Sequence, residues 1–120
     1  MATLNTSVSL KSATKVAGEL TLDFAQLTDL AFTTAEGATV VVPHTGTHTT
    51  IVDGTHSDET FVYLKNTSGA DKIKMYDATS EYGSVMPGAW TFITVPTGKI
   101  LKCLNSGSGN VNVNYVRFLK

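Results

Sequence analysis

Three histidines fall in one window of the chain, His44, His48 and His56, with Asp53, Asp58 and Glu59 close by. Imidazole with carboxylate is a ligand set that suits zinc or another divalent ion. The spacing matches no helical motif such as H-E-x-x-H, and Pro43-His-Thr-Gly-Thr-His-Thr-Thr50 reads as a polar, Thr-rich loop or edge strand. The histidines are therefore expected as exposed polar residues, and no metal site is assigned. In a symmetric trimer one histidine per subunit would still form a ring on the axis, giving a metal- or pH-sensitive contact without an intrachain site.

Other catalytic constellations are missing their defining context. No serine stands in G-x-S-x-G, and Asp58 and Glu59 are adjacent, so on a strand they would point to opposite faces and could not share a substrate. Ser106-Gly-Ser-Gly109 has no lysine after it and lies between strand patterns, which makes its glycines turn residues instead of a phosphate cradle. The chain is expected to be no enzyme, with no catalytic residues and no cofactor.

Trp90, Tyr63, Tyr76 and Tyr82 would form an aromatic platform for a sugar ring if they were exposed together. The competing reading puts Trp90 in the core, where a buried indole supplies more apolar area than most side chains of a small domain. Cys103, the single cysteine, sits in Lys99-Ile-Leu-Lys-Cys-Leu104 and reads as a small buried hydrophobe. With one cysteine the fold has to be held by packing and not by an intrachain disulfide.

The elements that must position these residues are strands. Thr occurs 19 times and Val 12 times, both β-branched and suited to a pleated surface. Ten glycines with many Ser and Asn supply turns. The charge is -1 with lysines scattered, so no basic stripe for nucleic acid is present. No apolar run approaches the length of a membrane span, and the N-terminus shows no signal-peptide pattern.

Thr60–Asn66 alternates Phe61 and Tyr63 with Val62 and Leu64, as a strand covered on both faces does, and Lys72–Asp77 turns Ile73 and Met75 inward and Lys72 and Lys74 outward. The turn-rich 66–71 segment between them predicts a hairpin. Trp90–Val95 puts Trp90 and Phe92 on one face and Ile93 and Val95 on the other; Lys99–Leu104 follows. Val111, Val113 and Tyr115 alternate inward against Asn112 and Asn114, and the phase blurs at Val116–Phe118, through a bulge or a second covered face.

In the first half, strands are expected at Ser7–Leu10, Glu19–Phe24, Ala38–Val42 and Thr49–Val52, with Phe24, Leu27 and Leu30 also compatible with a helical turn or two. Residues 1–16 read as an N-terminal arm that orders against a partner, and 17–120 as one domain. Eight or nine short strands at this spacing predict an all-β, antiparallel sandwich or jelly-roll-like fold.

From Phe61 onward, Phe-Val-Tyr-Leu-Lys-Asn-Thr, Lys-Ile-Lys-Met-Tyr-Asp, Met-Pro-Gly-Ala-Trp-Thr-Phe-Ile-Thr-Val and Asn-Val-Asn-Tyr-Val-Arg-Phe resemble the small β-sandwich virion proteins of tailed bacteriophages, over residues 59 to 119. The resemblance implies a decoration or cement protein, made in the host cytoplasm and placed on the capsid surface. It further implies an oligomer, favoured as a trimer, that clamps neighbouring capsomers through the major capsid protein without nucleic acid or membrane. The alternative function is a carbohydrate- or receptor-binding module of a tail fibre or an appended domain.

Overall fold

A computed structural model of the chain describes residues 2–6, 10–11, 21–22 and 28–120. The chain divides into two compact units, residues 1–33 and Thr34–Lys120. All regular structure among the described residues is β.

In the first unit, β1 (Ala2–Thr6) pairs antiparallel with β4 (Thr28–Phe32), and β2 (Leu10–Lys11) with β3 (Thr21–Leu22). Leu30 therefore lies in a strand, while Phe24 and Leu27 fall outside the described residues. Most of the expected arm over 1–16 also lies outside them, its described parts being β1 and β2.

The second unit holds β5 (Thr34–Val42), β6 (Thr49–Val52), β7 (Thr60–Asn66), β8 (Ile73–Tyr76), β9 (Glu81–Val85), β10 (Trp90–Val95), β11 (Leu101–Asn105) and β12 (Val111–Leu119). They form two four-stranded antiparallel sheets, ordered β10-β7-β12-β5 and β6-β11-β8-β9. Only β8 and β9 are joined as a hairpin within one sheet; every other connection crosses to the opposite sheet. This interleaving of two four-stranded sheets is the jelly roll, a two-layered alternative to one open sheet with a bare face.

The core is the space between the sheets. Val42, Val62, Leu64, Val95, Val111 and Val113 from the first sheet meet Ile51, Ile73, Met75, Val85, Leu101 and Cys103 from the second, all buried. These are the period-2 positions of their strands, so alternation in sequence becomes one apolar layer. Both Ile51 and Val52 are buried because the β6–β11 register shifts at Leu101/Lys102, which turns two consecutive residues inward.

The expected hairpin of β7 and β8 does not form: β7 pairs with β10 and β12, and β8 with β11 and β9. The turn chemistry at 66–71 is real, but it carries the chain from one sheet to the other. Asn66 explains the difference. It is fully buried at the end of β7, where its side-chain amide donates to the carbonyls of Asp71 (2.8 Å) and Val85 (3.0 Å) and its Oδ1 accepts from the Ser68 amide (2.9 Å).

At Val116–Phe118 the β12 register with β5 runs without interruption from Val111 to Leu119. The blurred phase is thus no bulge. It arises because Val116 and Phe118 stand on the outer face, which is apolar there.

Candidate functional site

The histidines do not converge. His44 Nδ1 lies 2.9 Å from Asn110 Oδ1 in the loop after β5, and the His48 ring meets Tyr76 edge-on at 5.0 Å between centroids. His56 Nε2 is 3.9 Å from Asp53 Oδ1, beyond hydrogen-bond reach. Asp53 instead accepts from the Thr55 amide (3.0 Å) and hydroxyl (2.8 Å), and these bonds, the amide's first, hold its carboxyl below the usual range. Among the described residues no three His, Cys, Asp or Glu side chains gather as a metal would require. Asp58 and Glu59 are exposed in the loop before β7 and not on a strand, with Glu59 Oε2 3.8 Å from Lys120 Nζ.

Cys103 is fully buried, and desolvation pushes its thiol up to about 12. Ser106–Gly109 is the β11–β12 loop, held by Asn105, whose Oδ1 accepts from the Gly107 amide (2.8 Å) and whose amide donates to the Gly109 carbonyl (2.6 Å). A shallow cleft of about 380 Å³ lies between β9 and β10, with Tyr82, Ile93, Val95 and Ile100 on its walls and Asp77 and Lys99 at its rim. Desolvation pushes the Tyr82 phenol up to about 12, so its hydroxyl stays a neutral donor across the ordinary pH range.

The four aromatics named in the sequence part company. Tyr76 lies on β8 and Tyr82 on β9, in the second sheet. Trp90 and Tyr63 are on neighbouring strands of the first, with ring centroids 6.0 Å apart and planes 31° from parallel. Trp90 is 50% exposed, so it is a surface residue and not a core one.

Antiparallel register fixes what surrounds it, since directly paired residues share a face. The row through Trp90 continues across the sheet as Lys65, Asn114 and Thr39. The next row is Phe92, Tyr63, Val116 and Gly37, and the one beyond is Thr94, Phe61, Phe118 and Ala35. Phe61 and Phe92 stack at 6.3 Å, and Phe61 is only 5% exposed although it is no part of the central core.

The two outer faces therefore differ. The second sheet turns out Lys74, Lys102, Tyr76, Glu81 and Ser84, with Lys74 Nζ 3.8 Å from Glu81 Oε2, as a solvent-facing sheet does. The first turns out aromatic rings, with Val41 (51% exposed) at one end and no carboxylate in any of the three rows. On this face Trp90 and Val41 are the exposed large apolar side chains, Tyr63, Phe92, Val116 and Phe118 are half-buried, and Phe61 is buried. The sequence signal was present in Phe61, Tyr63, Phe92, Val116 and Phe118, whose strands are apolar on both faces. No known family model matches the chain, and no curated protein does either.

Proposed function

We propose that the chain is a non-enzymatic structural protein of a virion, a decoration or cement protein on the capsid of a tailed bacteriophage. It acts as an oligomer, a trimer, and bridges capsomers by binding the major capsid protein.

The observation that carries this reading is the division at Thr33 and Thr34. The jelly roll has its own core, pinned at its crossovers by buried asparagines. The described strands of the first unit form two-stranded ladders, β1 with β4 and β2 with β3, which are marginal in water by themselves. A unit of that kind gains stability from a surface laid against it, and a lattice of identical capsomers offers such a surface many times over. Jelly rolls serve virus shells and lectins alike, so the fold by itself does not choose.

The test is mass spectrometry of purified virions, together with light scattering of the full chain. The reading expects the chain in the particle at a fixed ratio to the major capsid protein, and a solution mass three times the 12.8 kDa of one chain. A monomer absent from purified virions would overturn it.

A further inference from the structure

The corner of the outer face around Trp90 combines two kinds of group that rarely meet on a bare sheet. Trp90 and Tyr63 offer ring faces, 6.0 Å apart and tilted by 31°. In Trp90's own row, one, two and three strands away, stand three exposed hydrogen-bonding side chains, Lys65, Asn114 and Thr39. The Thr39 hydroxyl donates to Asn114 Oδ1 at 2.8 Å. That bond fixes the amide so that its NH2 group keeps both donors for a ligand, while the Thr39 oxygen keeps its lone pairs. Lys65 has no carboxylate partner among the described residues, and none shares its face in the rows beside it.

Gly37 supplies a separate observation. It lies inside β5, in the row of Tyr63 and Val116, where glycine weakens a strand and packs nothing. Its backbone does not demand glycine, because it lacks a positive φ. Nor does packing demand it: a Cβ there would meet Val116 Cγ2 at an ordinary 3.6 Å. What the missing side chain does is leave the floor open beside Val116, two strands from Tyr63 in the same row, as expected where a ligand comes close to a strand.

We propose that this face binds a glycan of several pyranose rings, one stacked at Trp90 and Tyr63 and the others running across β12 toward β5. A pyranose presents a face of polarised C–H bonds, which suits the negative faces of the indole and phenol rings. The row from Trp90 to Thr39 spans about 14 Å at the spacing of neighbouring strands, so hydroxyls of successive rings accept from the Lys65 ammonium and the Asn114 amide and donate to Thr39. A second copy of the chain fits less well. Two such faces meeting would each bring Lys65 and no carboxylate, leaving ammonium groups unpaired in the contact. The site concerns the jelly roll alone and goes beyond the capsid reading, so either can hold without the other.

Trp90 is the only tryptophan, so its emission reports the site directly. The full chain is titrated with soluble polymers of glucose, mannose, galactose and galacturonic acid, and its migration is followed in gels that contain each polymer. At least one polymer is expected to shift the emission and retard the protein. Trp90→Ala and Gly37→Gln should each weaken retardation about tenfold, the order of a lost ring-stacking contact, while the melting temperature shows both variants folded. Lys65→Met should weaken the galacturonate polymer more than a neutral one. The proposal is overturned if none of the polymers shifts emission or migration. It is equally overturned if the emission shifts with protein concentration alone as the mass rises, because a second copy then covers Trp90.

Discussion

Asn66 and Asn105 stand at corresponding places in opposite sheets, each the last residue of its strand, each fully buried, and each reaching across the sandwich. Asn66 donates to the Val85 carbonyl in the second sheet at 3.0 Å, and Asn105 to the Val42 carbonyl in the first at 3.3 Å. Each also ties down the loop that follows it, Asn66 through Ser68 and Asp71, Asn105 through Gly107 and Gly109. The two crossovers are thus closed by side-chain amides where backbone ladders cannot reach from sheet to sheet.

Replacing Asn66 by Ala removes one donor group and one acceptor from a dry site and leaves the Asp71 and Val85 carbonyls without those bonds. The expected loss is about 2–4 kcal/mol, a few buried polar groups' worth. It should be read as a lower urea midpoint at unchanged slope. Asn105→Ala should cost a similar amount. If both variants unfold at the wild-type midpoint, the amides do not hold the sheets together.

Cys103 should be silent to a thiol reagent such as dithiobisnitrobenzoate in the folded protein at pH 8 and react fully in guanidinium, because burial keeps the thiol protonated as well as covered. Cys103→Ser puts a hydroxyl at the same apolar position and should destabilise by about 1–3 kcal/mol. Cys103→Ala should cost less than a full cavity in a larger side chain would. Rapid labelling of the native protein would contradict the buried placement.

Much of the jelly roll was legible because strict period-2 strands have only one way to bury one face. Val111, Val113 and Tyr115 of β12, and Ile73 and Met75 of β8, face inward as their spacing requires. What alternation does not encode is the partner strand. The turn formers at 66–71 announce a reversal equally well for a hairpin or a crossover, and the deciding group, buried Asn66, looks in sequence like one more turn residue. β5 begins at Thr34 and not at Ala38, because Thr34-Ala-Glu-Gly37 has no apolar alternation and is held in register by β12.

The aromatic corner was only half legible. Sequence places Trp90, Tyr63, Tyr76 and Tyr82 on strands, but it does not say which rings share a sheet, and burial of Trp90 was the energetically plausible alternative. The inward positions of β10 and of its neighbour β7 are filled by Ile93, Val95, Val62 and Leu64, and alternation along β10 leaves the indole outside. Lys65, Asn114 and Thr39 carry no motif at all. Register across three strand pairs assembles them.

Acid should weaken the β8–β9 turn. Asp77 accepts from the Ser80 amide at 2.9 Å and the Thr79 amide at 3.0 Å, and these bonds hold its carboxyl below the ordinary 3.8. A carboxyl depressed on folding adds stability that is present above the unfolded value and lost as pH falls through the lower folded value. Asp77→Ala should therefore destabilise the protein more at pH 7 than at pH 2. Urea midpoints of the two proteins at both pH values check this, and an equal gap at both would sink it.

Gly54 and Gly46 separate backbone strain from crowding. Both have the left-handed backbone, with φ of 84° and 80°. A Cβ on Gly46 would meet nothing within 4 Å, whereas one on Gly54 would stand 3.1 Å from Ile100 Cγ1 and 3.2 Å from the Gly98 carbonyl. Gly46→Ala should therefore cost only the conformational penalty, about 1–2 kcal/mol. Gly54→Ala should cost that and a packing term, since the carbonyl belongs to a second tight turn, with Gly98 itself at φ 72°, and has little freedom to retreat. Urea midpoints should rank the proteins as wild type, Gly46→Ala and then Gly54→Ala. Gly54→Asn should recover part of the loss only if strain outweighs crowding, because asparagine tolerates the left-handed region but still carries the Cβ. Equal costs for the two alanine variants would mean that Ile100 and the Gly98 turn move aside, and that the loops at this end of the sandwich are softer than their packing suggests.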